Sequence, residues 1–169
     1  RRQRTKGGTR PPPVWGEMTW AVSGTVQTEP GEAGDIGARR HTNNTGELTA
    51  MYRMIQRART RLRGRGSEEL YTDSTYAMHM TTGKWMPKSH GNRDMIANLR
   101  AAWRELQKER PGEVRIRHVR SHTGVPGNEV ADWLADERGN GDRDATDSAK
   151  AWLTQWLADA AGAPAEMAK

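Results

Sequence analysis

One helical stripe constrains the fold of this chain more than any other feature. Leu48, Met51, Tyr52, Ile55 and Leu62 recur at the spacing that lines one face of an α-helix. Such a stripe must be buried, and the neighbouring segments offer the means. Leu70 to Asp73 reads as the end of a strand, and Ser74 to Thr81 as a brief helix after it. Gly83 to Gly91, with Pro87 inside, reads as a loop. Asn92 or Asp94 is placed to cap a second strong helix carrying Ile96, Leu99, Trp103 and Leu106 on one side. Beyond the Pro111-Gly112 turn, Val114 to Val119 alternates like a strand, with Arg115 and Arg117 outward. A polar loop from Ser121 to Gly127 leads to a helix over Asn128 to Glu137.

Upstream, Trp15 to Val22 (WGEMTWAV) suits a strand continuing to Thr28. Pro30, Gly31 and Gly34 break it, and Asp35 to Arg39 reads as a short returning strand. Gly64 and Gly66 stop the first helix, whose Arg53, Arg57 and Arg61 form a solvated stripe. The order is strand, strand, helix, strand, helix, helix, strand, helix. That predicts an α/β domain with a mixed sheet, and by itself it names no function.

The 169 residues suit one domain with a tail at either end. Residues 1–13 hold five basic residues and no acid before Pro11-Pro12-Pro13, which predicts a flexible basic loop or tail. Residues 14–140 form the domain. Residues 141–169 are a C-terminal helical extension, its helix over 145–161 carrying Trp152, Leu153, Trp156 and Leu157 as an apolar face. With no cysteine there is no disulfide-linked partner, no thiolate nucleophile and no cysteine-based zinc site. No run reaches the ~20 apolar residues of a membrane span, so no membrane partner is expected and an intracellular location is. A net charge of +6 favours a polyanionic partner, although the arginine bias of the basic residues is equally an effect of coding.

Three carboxylates occupy suggestive places: Glu47 in the first turn of the strong helix, Asp73 where a strand gives way to a helix, and Asp132 one turn inside a later helix. Hard divalent cations prefer oxygen ligands of this kind, but Glu in a first turn and Asp after a strand also serve as ordinary caps. His122, in Ser121-His122-Thr123-Gly124, can move protons near neutrality and can equally be a surface histidine. His118 and His122 have zinc-like spacing, but they straddle a strand and a loop without a third ligand, which excludes zinc.

Three segments in order carry more information than any one: Thr42-Asn43-Asn44-Thr45-Gly46-Glu47-Leu48, Tyr71-Thr72-Asp73-Ser74, and Ser121-His122-Thr123-Gly124-Val125-Pro126-Gly127-Asn128-Glu129-Val130-Ala131-Asp132. Together they resemble ribonuclease H of type 1 over roughly residues 14 to 138. The resemblance implies an RNase H-like mixed sheet flanked by helices, with the first three strands antiparallel. It implies an endonuclease that hydrolyses the RNA strand of RNA/DNA hybrids with two Mg²⁺ ions, Mn²⁺ being a substitute. Glu47 and Asp73 would hold the ion on the leaving-group side, and Asp132 the ion that activates water. His122 would assist proton transfer or product release. Asn43 and Asn44 would contact the minor groove of the hybrid, where 2′-hydroxyls mark RNA. Arg40 and Thr42, completed by Asn92, would grip a phosphate of the DNA strand, and Asn128 belongs to the same substrate-binding set.

Two departures qualify the resemblance. Thr75 replaces a glutamine, and Lys84 to Gly91 is short where some relatives carry a long basic handle, which shifts substrate grip toward Lys84, Trp85 and Lys88 or onto an attached domain. The family also has a first, central strand bearing an Asp-Gly pair before the loop that leads to Trp15. Residues 1–13 hold no acid, and neither Glu17 nor Asp35 stands at the matching position. The expectation is a chain cut just after that strand, with little or no nuclease activity of its own. The alternatives are a non-catalytic RNase H-like nucleic-acid-binding module, or the RNase H part of a reverse-transcriptase polyprotein.

Overall fold

Thr42 starts the principal helix through a reciprocal cap. The Thr45 N–H donates to Thr42 Oγ1 at 3.2 Å while the Thr42 N–H donates to Thr45 Oγ1 at 2.9 Å, so two donors left over at the helix start are satisfied. A computed structural model describes residues 18, 20–60, 66–88, 90–136 and 143–162. Among them the elements run β1 (Val22–Ser23), α1 (Asn43–Thr60), β2 (Glu68–Thr72), α2 (Thr75–Thr82), a 3₁₀ turn (His90–Asn92), α3 (Arg93–Glu109), β3 (Val114–His118), α4 (Pro126–Asp136), β4 (Arg143–Asp144) and α5 (Thr146–Gly162). No described helix is long and apolar enough to cross a membrane.

The α/β class holds, with both kinds of strand pairing. β2 and β3 run parallel in register from Glu68 opposite Val114 to Thr72 opposite His118, joined by a crossover through α2 and α3. β1 and β4 pair antiparallel, Val22 opposite Asp144 and Ser23 opposite Arg143. Three antiparallel strands at the start are not what the described residues show. Among the described residues of the first expected strand Val22–Ser23 enters a ladder, and 35–39 forms no strand but bends at Ile36 and Gly37. The cause is local. Asp35 accepts the Gly31 and Gly37 N–H groups at 2.9 and 2.8 Å and pairs with Arg39 at 2.9 Å, occupying donors that a ladder would need. Gly37, at φ 98°, lies so close to α3 that a β-carbon there would meet Asp94 Cβ at 2.8 Å.

Two separate cores result. In the larger, α1 packs on α3, with Leu48, Met51, Ile55, Met95, Leu99 and Leu106 fully buried under Leu70 and Val114 of the parallel pair. Each such side chain contributes about 1.5–3 kcal/mol of burial. Arg110 clamps the rear of this unit. Buried to 3% exposure, it meets Glu68 at 2.8 Å, Glu113 at 3.0 Å and the Ala58 carbonyl at 3.0 Å. The smaller core gathers Ala21, Val130, Leu134, Ala145 and Ala149 under Met18, Trp133, Trp152 and Leu153. Here Trp133 stacks on Trp152 at 5.5 Å between centroids and Trp152 on Trp156 at 6.2 Å, which ties α5 to α4.

Other boundaries differ modestly. α4 begins two residues early because Pro126 suits a first helical position, where no N–H is needed. Glu47 therefore lies one turn into α1 and not in its first turn, since α1 already starts at Asn43. Residues 1–13, Glu17, Arg61 and Leu62 lie outside the described residues.

Candidate active site

Asp73 leaves the C-terminal end of β2, and Ser74 caps α2 by accepting the Ala77 N–H at 3.0 Å. The same Ser74 hydroxyl donates to Glu47 Oε2. One side chain thus starts a helix and fixes the carboxylate of α1 beside the Asp73 turn. Asp73 is held from the other direction. Its Oδ2 accepts Ser121 Oγ at 2.9 Å and Asn128 Nδ2 at 3.4 Å, and its carbonyl lies 3.1 Å from His118 Nε2. The end of β3, the loop after it and the start of α4 therefore meet the end of β2.

Asp132, on α4, lies near enough to Asp73 for their charges to interact, while Glu47 and Asp73 stand outside the tight group of ligand-capable atoms around it. His122 Nδ1 stands 3.4 Å from Asp132 Oδ2, with the imidazole 80% exposed. Among the described residues Asp132 Oδ2 is closed off from solvent yet accepts no hydrogen bond. Its carboxyl is pushed above the ordinary value, first by burial and next by the charge of Asp73, while His122 pulls the other way. The two aspartates therefore lie close enough to repel. Glu129 adds to that repulsion and was not singled out from the sequence. Its three-residue offset from Asp132 on one helix was the available signal. His122, Glu129 and Asp132 each bring one ligand-capable atom within 4.8 Å of the others.

The donors suit a hard divalent cation. Glu47, Asp73 and Asp132 offer oxygen only, and the shielded Asp132 oxygen, 3.4 Å from His122 Nδ1 and accepting no hydrogen bond, is repelled by Asp73, a repulsion that a dication would relieve.

The expected substrate residues divide. Arg40, Thr42, Asn43 and Asn44 are exposed around the start of α1, with Thr42 also committed to the cap. Asn92 stands at the N-cap position of α3 without a side-chain cap bond; it donates to Tyr76 Oη at 3.3 Å. Asn128 points at Asp73. Trp85 is exposed at 43% near Lys84, its ring 4.6 Å from that of His79, and Arg100 bonds its carbonyl at 2.5 Å.

Residues 15–139 match a family model described as RNase H. The Ribonuclease H of Acidiphilium cryptum is 33% identical over 137 residues, covering 78% of this chain and 81% of that protein. The Ribonuclease H of Polynucleobacter asymbioticus is 34% identical over 108 residues, 60% of this chain. The chain spans 66% of that relative's length, just under two thirds. No solved structure matches it.

Proposed function

The chain belongs to the RNase H family, and on that footing we propose that it hydrolyses the RNA strand of RNA/DNA hybrids. The single observation that carries this reading is the shielded Asp132 oxygen without a hydrogen bond, repelled by Asp73. Glu47, Asp73 and Asp132 would hold Mg²⁺, for which Mn²⁺ can substitute. When bound, the ions would neutralise charge at the scissile phosphate and lower the pKa of the attacking water.

The chain's own residues supply orientation and proton handling. Ser74 keeps Glu47 turned toward the Asp73 turn, and Ser121 with Asn128 keeps Asp73 from swinging away. His122, exposed and beside Asp132, can exchange a proton with solvent. Asn43 and Asn44 stand exposed where a minor groove carrying 2′-hydroxyls would meet α1. Arg40, with Thr42 and Asn92, would grip a phosphate of the DNA strand; Arg40 stands exposed for charge-assisted bonding.

The test is cleavage of an end-labelled RNA/DNA hybrid in Mg²⁺ with enzyme in excess over substrate. Slow cleavage of the RNA strand alone is expected from Glu47, Asp73 and Asp132. Asp73→Asn and Asp132→Asn should each abolish it. No cleavage by the parent chain, or cleavage that survives both substitutions, would refute the proposal.

A further inference from the structure

The loop from Ser121 to Val125 carries His122 between β3 and α4 in an unusual backbone. His122 has φ 52° and Gly124 φ 74°, both in the left-handed region. For a residue with a β-carbon that conformation costs about 1 kcal/mol or more, and it persists only where the surroundings hold it. On the near side, Ser121 Oγ is tied to Asp73 Oδ2 at 2.9 Å. On the far side, the Gly124 N–H donates to Glu129 Oε1 at 3.0 Å. Glu129 is itself anchored, because its N–H donates to the Val125 carbonyl at 3.0 Å in the first turn of α4. Three residues further along the same helix face stands Asp132, against which the His122 ring lies. One face of α4 therefore both fastens the loop and receives the imidazole.

We propose that Glu129 is a positioning residue: by accepting the Gly124 N–H, it holds the loop in the left-handed turn that sets His122 against Asp132. The proposal rests on the reading that His122 serves hybrid cleavage. A plain helix cap would steady the start of α4 and leave His122 unaffected.

Glu129→Ala and Glu129→Gln separate the two roles, because glutamine keeps an acceptor oxygen. Amide exchange at Gly124 and the sign of the His122 φ, read from its one-bond Cα–Hα coupling, are measured by NMR on the whole metal-free chain. Single-turnover cleavage is measured in parallel. In Glu129→Ala, Gly124 exchange should quicken about tenfold and His122 should lose its uniformly positive φ. Its cleavage rate should fall about tenfold while hybrid affinity changes less than about twofold. Glu129→Gln should stay within about threefold of the parent in each measurement. The proposal is overturned if Glu129→Ala leaves Gly124 exchange and the His122 backbone as in the parent. It is equally overturned if Glu129→Gln loses as much as Glu129→Ala, which would make charge the operative property. A parent chain that cleaves no hybrid refutes the functional reading alone, since the two backbone measurements still decide the role of Glu129.

Discussion

At the scale of single residues, the same side chains that fold the backbone also place the chemistry. Asp35 illustrates the folding half. Two backbone N–H groups, from Gly31 and Gly37, and the Arg39 guanidinium lower its pKa from an ordinary 3.8 to about 2. A depressed carboxylate stabilises the native state above its unfolded pKa, and that contribution drains away as pH falls toward the folded value. Asp35→Asn should therefore lower the urea midpoint most near pH 7, with the gap to the parent narrowing by about pH 2.5. An equal gap at both pH values would show that the charge of Asp35 does not matter to the turn. Glu47, Asp73 and Asp132 were legible as candidates because three ordered motifs flanked them. The bonds that position them were not, since Ser74 to Glu47 and Asn128 to Asp73 span 27 and 55 residues. Asp35 was misread for a related reason. Alternation over 35–39 looks like a strand until the Asp carboxylate takes the backbone donors.

At the scale of elements, the helices were the readable part. α1 and α3 carry stripes long enough to show a period, and their buried faces fall where that period puts them. β4, with two residues, is too short to carry any pattern, and its pairing with β1 follows from tertiary placement alone. Ser74 belongs to this scale because it both starts α2 and holds α1's glutamate. Ser74→Ala should cost about 1 kcal/mol in denaturant unfolding through the lost cap. It should also slow cleavage, where Ser74→Thr, retaining the hydroxyl, should not. Trp152 is the corresponding test for α5. Truncating Trp152→Ala removes the middle ring of the three-tryptophan stack and should cost about 2 kcal/mol, below the range for a fully buried tryptophan because the ring is only half-buried. Unchanged stability would mean that α5 packs without need of the stack.

At the scale of the whole molecule, a net charge of +6 sets how the chain meets a polyanion. The logarithm of hybrid affinity should fall linearly with the logarithm of salt concentration, since each neutralised phosphate releases condensed counterions. Removing the Arg40 charge should make that slope shallower by about 1 if this arginine contacts a phosphate. A slope that Arg40→Ala leaves unchanged would take the residue out of the substrate path.

The two cores also divide the candidate site between them. Glu47 and Asp73 ride on the unit built around α1 and α3, while Asp132 rides on the tryptophan-lined unit with α4 and α5. Asn128 of α4 reaches Asp73 across the seam, and Arg57 of α1 lies 4.9 Å over the Trp20 ring beside Ala21, so alignment of the candidate site is a property of the seam and not of either body. Gentle warming that loosens the tryptophan-lined body should extinguish cleavage while α1 and α3 still give their full helical signal. The chain would then fall silent before it melts.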